Sequence, residues 1–155
     1  MKINVVAGKI EKQKTGAAII PVFEDEKLSV IAGRIDKALG GAVQRLIKRG
    51  DFKPKAGAVT LLYPDGKIAA ERLLLAGLGK KNDFTPDRLR QAAGKAAPFA
   101  RNSGATDIVL VADGLGLEPQ EAGQALTEGS VLGLYRFLKY KTNEENGRGK
   151  EIQAI

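Results

Sequence analysis

The sequence of 155 residues contains no cysteine, which excludes a disulfide framework and thiolate chemistry and suits a reducing compartment. Histidine is absent as well, and with it the commonest general base and the commonest transition-metal ligand. Aromatic residues make up only 5% of the chain. Long apolar runs are missing too. No stretch approaches the ~20 apolar residues of a membrane span, and Met1 to Lys14 holds only the short run Ile3 to Ala7, too little for the core of a secretory signal. No serine stands in a nucleophile elbow, no acid cluster has metal-ligand spacing, and there are no internal repeats or low-complexity segments. The expectation is a cytoplasmic chain without membrane association and, on residues alone, without an active site.

What is present describes an ordinary globular domain, with 43% apolar and 28% charged residues. A chain of this length can bury roughly 70% of its unfolded surface. The net charge of +7 permits attraction to nucleic acid or an acidic surface, although such an excess is commonly a solvated surface.

The organising stretch runs from Arg72 to Leu89. Leu73, Leu74 and Leu75 read as a strand covered on both faces. Gly77 and Gly79 are expected to turn the chain as it leaves the sheet. Thr85 then caps a helix, with Pro86 in its first turn and Asp87 at its positive end. That helix turns Leu89, Ala92, Ala93, Ala96, Ala97 and Ala100 inward, kinks at Pro98 and ends at Ser103-Gly104. A strand from Asp107 to Val111 completes a strand–helix–strand unit.

Upstream, Ile3 to Ala7 and Ala17 to Phe23 read as strands with a polar turn between them, and Glu24 to Glu26 as an exposed acidic turn. Leu28, Ile31, Ile35 and Leu39 mark one helical face. After Gly40-Gly41 comes a short helix with Val43, Leu46 and Ile47 inward and Arg45, Lys48 and Arg49 outward. Ala58 to Tyr63 is a further strand, closed by the turn signal Pro64-Asp65-Gly66. Downstream, a helix is expected from Pro119 to Lys139, with Ala125, Gly129 and Gly133 on a flat face pressed against the sheet. Thr142 to Lys150 is polar and reads as a linker. Glu151 to Ile155 begins a strand, which implies the leading piece of a longer protein.

Two stretches are candidate sites. Gly77-Leu78-Gly79, with Lys80, is a candidate anion loop between strand and helix. Asn82 stands where a dinucleotide fingerprint needs its third glycine, and Lys80-Lys81 lacks the Ser or Thr of a Walker loop. Lys48, Arg49, Lys53 and Lys55 form a basic stretch suited to phosphate or partner contact, with Lys80, Lys81, Arg88 and Arg90 a second. Only Phe52 interleaves, so base stacking is poorly supported.

A further pattern spans nearly the whole chain. Asp36 with Gly40-Gly41, Gly50 to Gly57, Arg72 to Lys81, Leu89 to Gly94, Glu128-Gly129 and the stretch from Leu134 to Thr142 occur in the order of a known family. The sequence resembles the amino-terminal domain of leucyl (cytosol) aminopeptidases. The resemblance implies an α/β fold of the macro-domain kind, a mixed β-sheet sandwiched between helices, over residues 1–141. It makes 142–155 the linker and the start of a strand leading to a catalytic domain not contained in this chain.

By the same resemblance the parent is a hexameric metallo-aminopeptidase that releases amino-terminal residues from peptides with two divalent metals, zinc or manganese. Its metal ligands and its catalytic lysine and arginine belong to the carboxy-terminal domain. No catalytic residue, metal ligand or cofactor is therefore placed on this chain, and the fragment is expected to be inactive alone. Asn143 to Arg148 echoes the family's metal motif but lacks its aspartate, and is rejected. The resemblance leaves three roles: a non-catalytic domain serving assembly, access or accessory binding; a module for an ADP-ribose-like nucleotide, as fold relatives are; or a DNA-binding domain, as in some bacterial members.

Overall fold

The structure is a computed structural model that describes residues 1–135 and 151–155. The expected last turn of the final helix to Lys139, the motif residues from Arg136 to Thr142, the linker and the rejected stretch Asn143 to Arg148 lie outside the described residues.

A sheet is built from β1 (Ala17–Phe23), β2 (Val59–Leu62), β3 (Leu73–Gly79) and β4 (Ile108–Leu110), in the order β2-β3-β1-β4. β1 runs parallel to both β3 and β4, whereas β2 is antiparallel to β3. The sheet is therefore mixed. Every residue of β1 and β3 is buried, so their apolar runs are continuous, because both faces of the sheet are covered.

One face carries α1 (Val30–Ala38) and α2 (Ala42–Arg49), the other α3 (Pro86–Asn102) and α4 (Pro119–Leu134). Alternation along the strands divides the core accordingly. Ala18, Ile20, Val22, Leu73 and Leu75 pack with Ile35, Leu39, Val43 and Phe52, whereas Ala17, Ile19, Leu74, Ala76 and Leu78 pack with α3 and α4. The α1 face is not the one the spacing marked throughout. Ile35 and Leu39 are buried as expected, but Leu28 and Ile31 are only half-buried, and Ala32 and Asp36 share the buried side.

The sequence places α3 correctly in its cap and its buried face. Thr85 accepts a hydrogen bond from the Arg88 N–H, and the six inward positions are all buried. Its unit with β3 and β4 also forms, but β1 lies between those two strands.

Other expectations need correction. Ile3 to Ala7 is not a strand. Hydrogen bonds reach only Lys2 and Asn4, which pair with Gln153 and Ile155, and Val5 is fully exposed. Gln153 and Ala154 in turn pair with Thr106 and Ile108, so this last stretch extends the sheet beyond β4. Gly77 does not turn the chain out of the sheet, since it lies within β3, whereas Gly79, the last residue of that strand, has the positive φ of 75° expected where the chain leaves it. A side chain at Gly77 would place its Cβ 2.7 Å from the Pro54 carbonyl carbon; glycine is needed there for close approach of another backbone. Finally, α4 ends at Leu134, with Tyr135 extended.

The small-residue face of α4 packs on α3 rather than on the sheet. A Cβ on Gly129 or Gly133 would collide with the carbonyl oxygen of Arg90 or Gly94 respectively. Arg90 also bonds Glu128 and Arg101 bonds the Leu134 carbonyl, so position advances along both helices together and they run parallel.

Candidate functional site

The structure brings the two sequence-flagged candidates together. α2 ends at Gly50, in the left-handed conformation with φ 79°, and Lys48 and Arg49 are exposed in its last turn. The chain then alternates: Phe52 and Pro54 are buried, Lys53 and Lys55 exposed. Phe52 is thus a core side chain, only 4% exposed, and offers no face to a base. The loop that follows lies against the end of β3. Gly57 donates to the Gly77 carbonyl at 3.0 Å, Gly77 to the Ala58 carbonyl at 2.7 Å, and Gly79 to the Pro54 carbonyl at 2.9 Å. The amides of Gly77 and Gly79 expected to cradle an anion are therefore occupied by the chain itself, while Lys80 is exposed.

The basic surface gains a residue that sequence reasoning missed. Lys95 of α3 lies over Gly57, its Cδ 2.9 Å from where a Cβ there would stand. No local pattern joins positions so far apart in the chain.

The second basic stretch is dismantled. Arg90 donates to Glu128 at 2.8 Å and to Asp87 at 2.9 Å. Lys81 is drawn inward. Its Nζ stands 4.2 Å from the Phe23 ring centroid and 5.2 Å from that of Phe84, and donates to the Leu115 carbonyl at 2.7 Å. Of that stretch only Lys80 and Arg88 are left exposed. Asp25, expected in a plain exposed turn, accepts the Lys81 backbone N–H at 2.9 Å.

The donor set does not fit the implied pair of metals. Among the described residues no group of three or more His, Cys, Asp or Glu could hold a metal ion, and no step through a metal is derived for this chain. A cavity of about 10 Å³ between the sheet and the α3–α4 pair is lined by apolar residues including Ile19, Ala76, Leu89 and Leu126. That is room for about one water, far below the roughly 300–1,000 Å³ of small-molecule pockets.

Comparison with known proteins turns this geometry into an assignment. Residues 19–144 match the family model described as "Cytosol aminopeptidase family, N-terminal domain". The chain belongs to the cytosol aminopeptidase family. Relatives named "Probable cytosol aminopeptidase" include one from Nitrosococcus oceani, 39% identical over 94% of this chain, and one from Geobacter sp., 40% identical over 96%. The chain spans about 30% of the length of each. Among solved structures, a tomato leucine aminopeptidase mutant is similar at TM-score 0.80 and 19% identity, over 99% of this chain and 31% of its own. A bottromycin maturation enzyme in complex with Mn is similar at 0.61 and 21%, over 91% and 26%. A Trypanosoma brucei macrodomain in complex with ADP gives 0.71 and 16%, over 99% and 62%. At those identities the structures establish the fold, which is macro-domain-like.

The stretches that carry the family resemblance can now be read physically. Gly40 and Gly41 both have positive φ, 63° and 80°, and the buried Asp36 carboxylate accepts the Gln44 N–H in the first turn of α2 at 3.1 Å. Together they make a tight corner between two helices. Arg72 ties the Ser103 and Gly16 carbonyls to the start of β3 at 3.0 and 3.3 Å. Arg90, Gly94, Glu128 and Gly129 form the α3–α4 contact. In the described residues these family positions serve corners and close contacts.

Proposed function

We propose that this chain is the non-catalytic amino-terminal domain of a two-metal leucyl aminopeptidase and serves its assembly or the access of peptides to a catalytic domain elsewhere in the parent. The observation that carries this reading is that the family-marking residues within the described chain act in packing and turns, while no metal-holding cluster accompanies them. In this reading the parent is a cytoplasmic hexamer, zinc or manganese is bound by the catalytic domain, and peptide reaches this domain only as part of the parent.

The test has two arms. The purified chain, given leucine p-nitroanilide with manganese or zinc, is expected to show no chelator-sensitive turnover, because two-metal hydrolysis needs ions held about 3.5–4 Å apart by clustered donors. Turnover abolished by a chelator overturns the reading. In the second arm this chain replaces the aligned stretch of the Geobacter relative. The hybrid is expected to keep the relative's oligomeric state and activity, and failure to assemble while the replaced part remains folded would count against it.

A second reading, contact with nucleic acid, rests on the exposure of Lys48, Arg49, Lys53 and Lys55, with Lys95 beside their loop. Each phosphate neutralised releases counterions, so affinity falls steeply with salt. Fluorescence-anisotropy titration of duplex DNA at two salt concentrations is expected to give micromolar or weaker, sequence-independent binding. Alanine at all four positions is expected to flatten the salt dependence. Equal binding by both proteins, or none by wild type at low salt, assigns these side chains to solvated surface.

A further inference from the structure

In open α/β sheets ligands enter the crevice outside the carboxyl ends of the parallel strands. Here that end is defined by Phe23, the last residue of β1, by the segment after Gly79 of β3, and by the segment after β4 that contains Leu115 and Gly116. A single side chain touches all three. The Lys81 ammonium faces the Phe23 ring at 4.2 Å and the Phe84 ring at 5.2 Å, and donates to the Leu115 carbonyl at 2.7 Å.

The two rings stand edge to face, at 89° with centroids 5.0 Å apart, so they present two walls of a box. Aromatic faces attract cations through their quadrupole, and such boxes are a recurrent way of holding ammonium groups. The surroundings fit the occupant. Gly116 has φ +77°, and a Cβ there would come within 3.2 Å of the Lys81 Nζ. The lysine backbone is fixed as well, by the Asp25 carboxylate at its N–H, while the Glu24 N–H bonds the Gly79 carbonyl at 2.9 Å.

We propose that the strand-end crevice of this domain is a cation cage occupied by the domain's own Lys81, which acts as an internal ligand that clamps the end of β1 and the segments following β3 and β4. The chemistry is selective: ring faces and a carbonyl oxygen hold an ammonium and repel a phosphate. Emptying the cage creates a site for a small primary alkylammonium ion.

The experiment is chemical rescue. Lys81→Ala is expected to lower Tm by roughly 2–4 °C, the effect of losing a half-buried cation–π contact in a domain of this size. n-Propylammonium, which reproduces the three carbons and the ammonium lost beyond Cβ, is expected to raise the Tm of the variant and not that of wild type. n-Propanol, with the same stem and no charge, is expected to raise neither. Equal rescue by n-propanol, or no rescue by either, overturns the cage. Lys81→Met keeps the stem without the charge and covers the case in which the alanine variant does not fold. It is expected to melt below wild type and to lose hydrogen-exchange protection around Leu115. A wild-type Tm for Lys81→Met shows that the ammonium is not what is held, and overturns the proposal.

Discussion

Beneath α1 and α2 the sheet is covered by large side chains, Ile35, Leu39, Val43 and Phe52. Beneath α3 and α4 it is covered mostly by alanine: Ala92, Ala93, Ala96, Ala97 and Ala100 from one helix, Ala122 and Ala125 from the other. The two faces of one sheet are thus closed by different means. On the first, side-chain volume fills the space between helix and strand. On the second the helices approach until backbone meets backbone, as Gly129 does at the Arg90 carbonyl. A face built on volume is sensitive to deletion, whereas a face built on approach is sensitive to insertion.

The largest effect is expected from a deletion on the first face. Ile35 has no exposed surface, and Ile35→Ala leaves a cavity that α1 cannot close without moving. The expected cost is about 2–5 kcal/mol, read as a lowered urea midpoint. A cost below about 1 kcal/mol, less than such truncations in a filled core, would show that α1 settles onto the sheet as α3 does.

Insertion on the second face comes next. Gly129→Leu forces α3 and α4 apart against a carbonyl that has nowhere to go, and is expected to cost about 1–3 kcal/mol or more. Six residues earlier in the same helix the sign reverses. A Cβ at Gly123 meets nothing within 4 Å, so Gly123→Ala is expected to stabilise by about 1 kcal/mol through helix propensity alone. Two urea titrations suffice. If both variants shift the same way, the contrast between the inner and outer sides of α4 is lost.

The sequence made α3 legible almost residue by residue, because its cap, its first-turn proline and its inward alanines are all local signals at fixed spacing. β1 was legible for a similar reason, a bounded apolar run. What it did not carry was partnership. Gly129 and Gly133 announced a close contact, yet nothing local distinguishes a helix from a sheet as the neighbour. Gly77 read as a turn because its reason, the backbone at Pro54 and Lys55, is distant in sequence. Ile3 to Ala7 has the composition of a strand but pairs only through Asn4, beside the pairing of Lys2 just before it. In the candidate site the outward lysines were readable from alternation with Phe52 and Pro54. Lys81 was not, since its cage is assembled from three separate segments.

The smallest expected effect lies at the exposed rim of the α3–α4 contact and is a matter of pH. The Glu128 carboxylate receives a hydrogen bond from Gln124 at 2.7 Å and another from Arg90 at 2.8 Å. These two donors, in that order, hold it below the ordinary carboxylate value of 4.5. A carboxylate whose folded pKa is depressed contributes stability that is complete above its unfolded pKa and is lost as pH falls through the folded one. The urea midpoint of wild type is therefore expected to drop below about pH 4.5 by more than that of Glu128→Gln, which keeps the shape and has no proton to take up. Because the pair is solvent-exposed, screening makes the difference small, and added salt shrinks it further. Parallel midpoint-versus-pH curves for the two proteins would show that the contact between the helices rests on glycine packing alone, with the Arg90–Glu128 pair only decorating its rim.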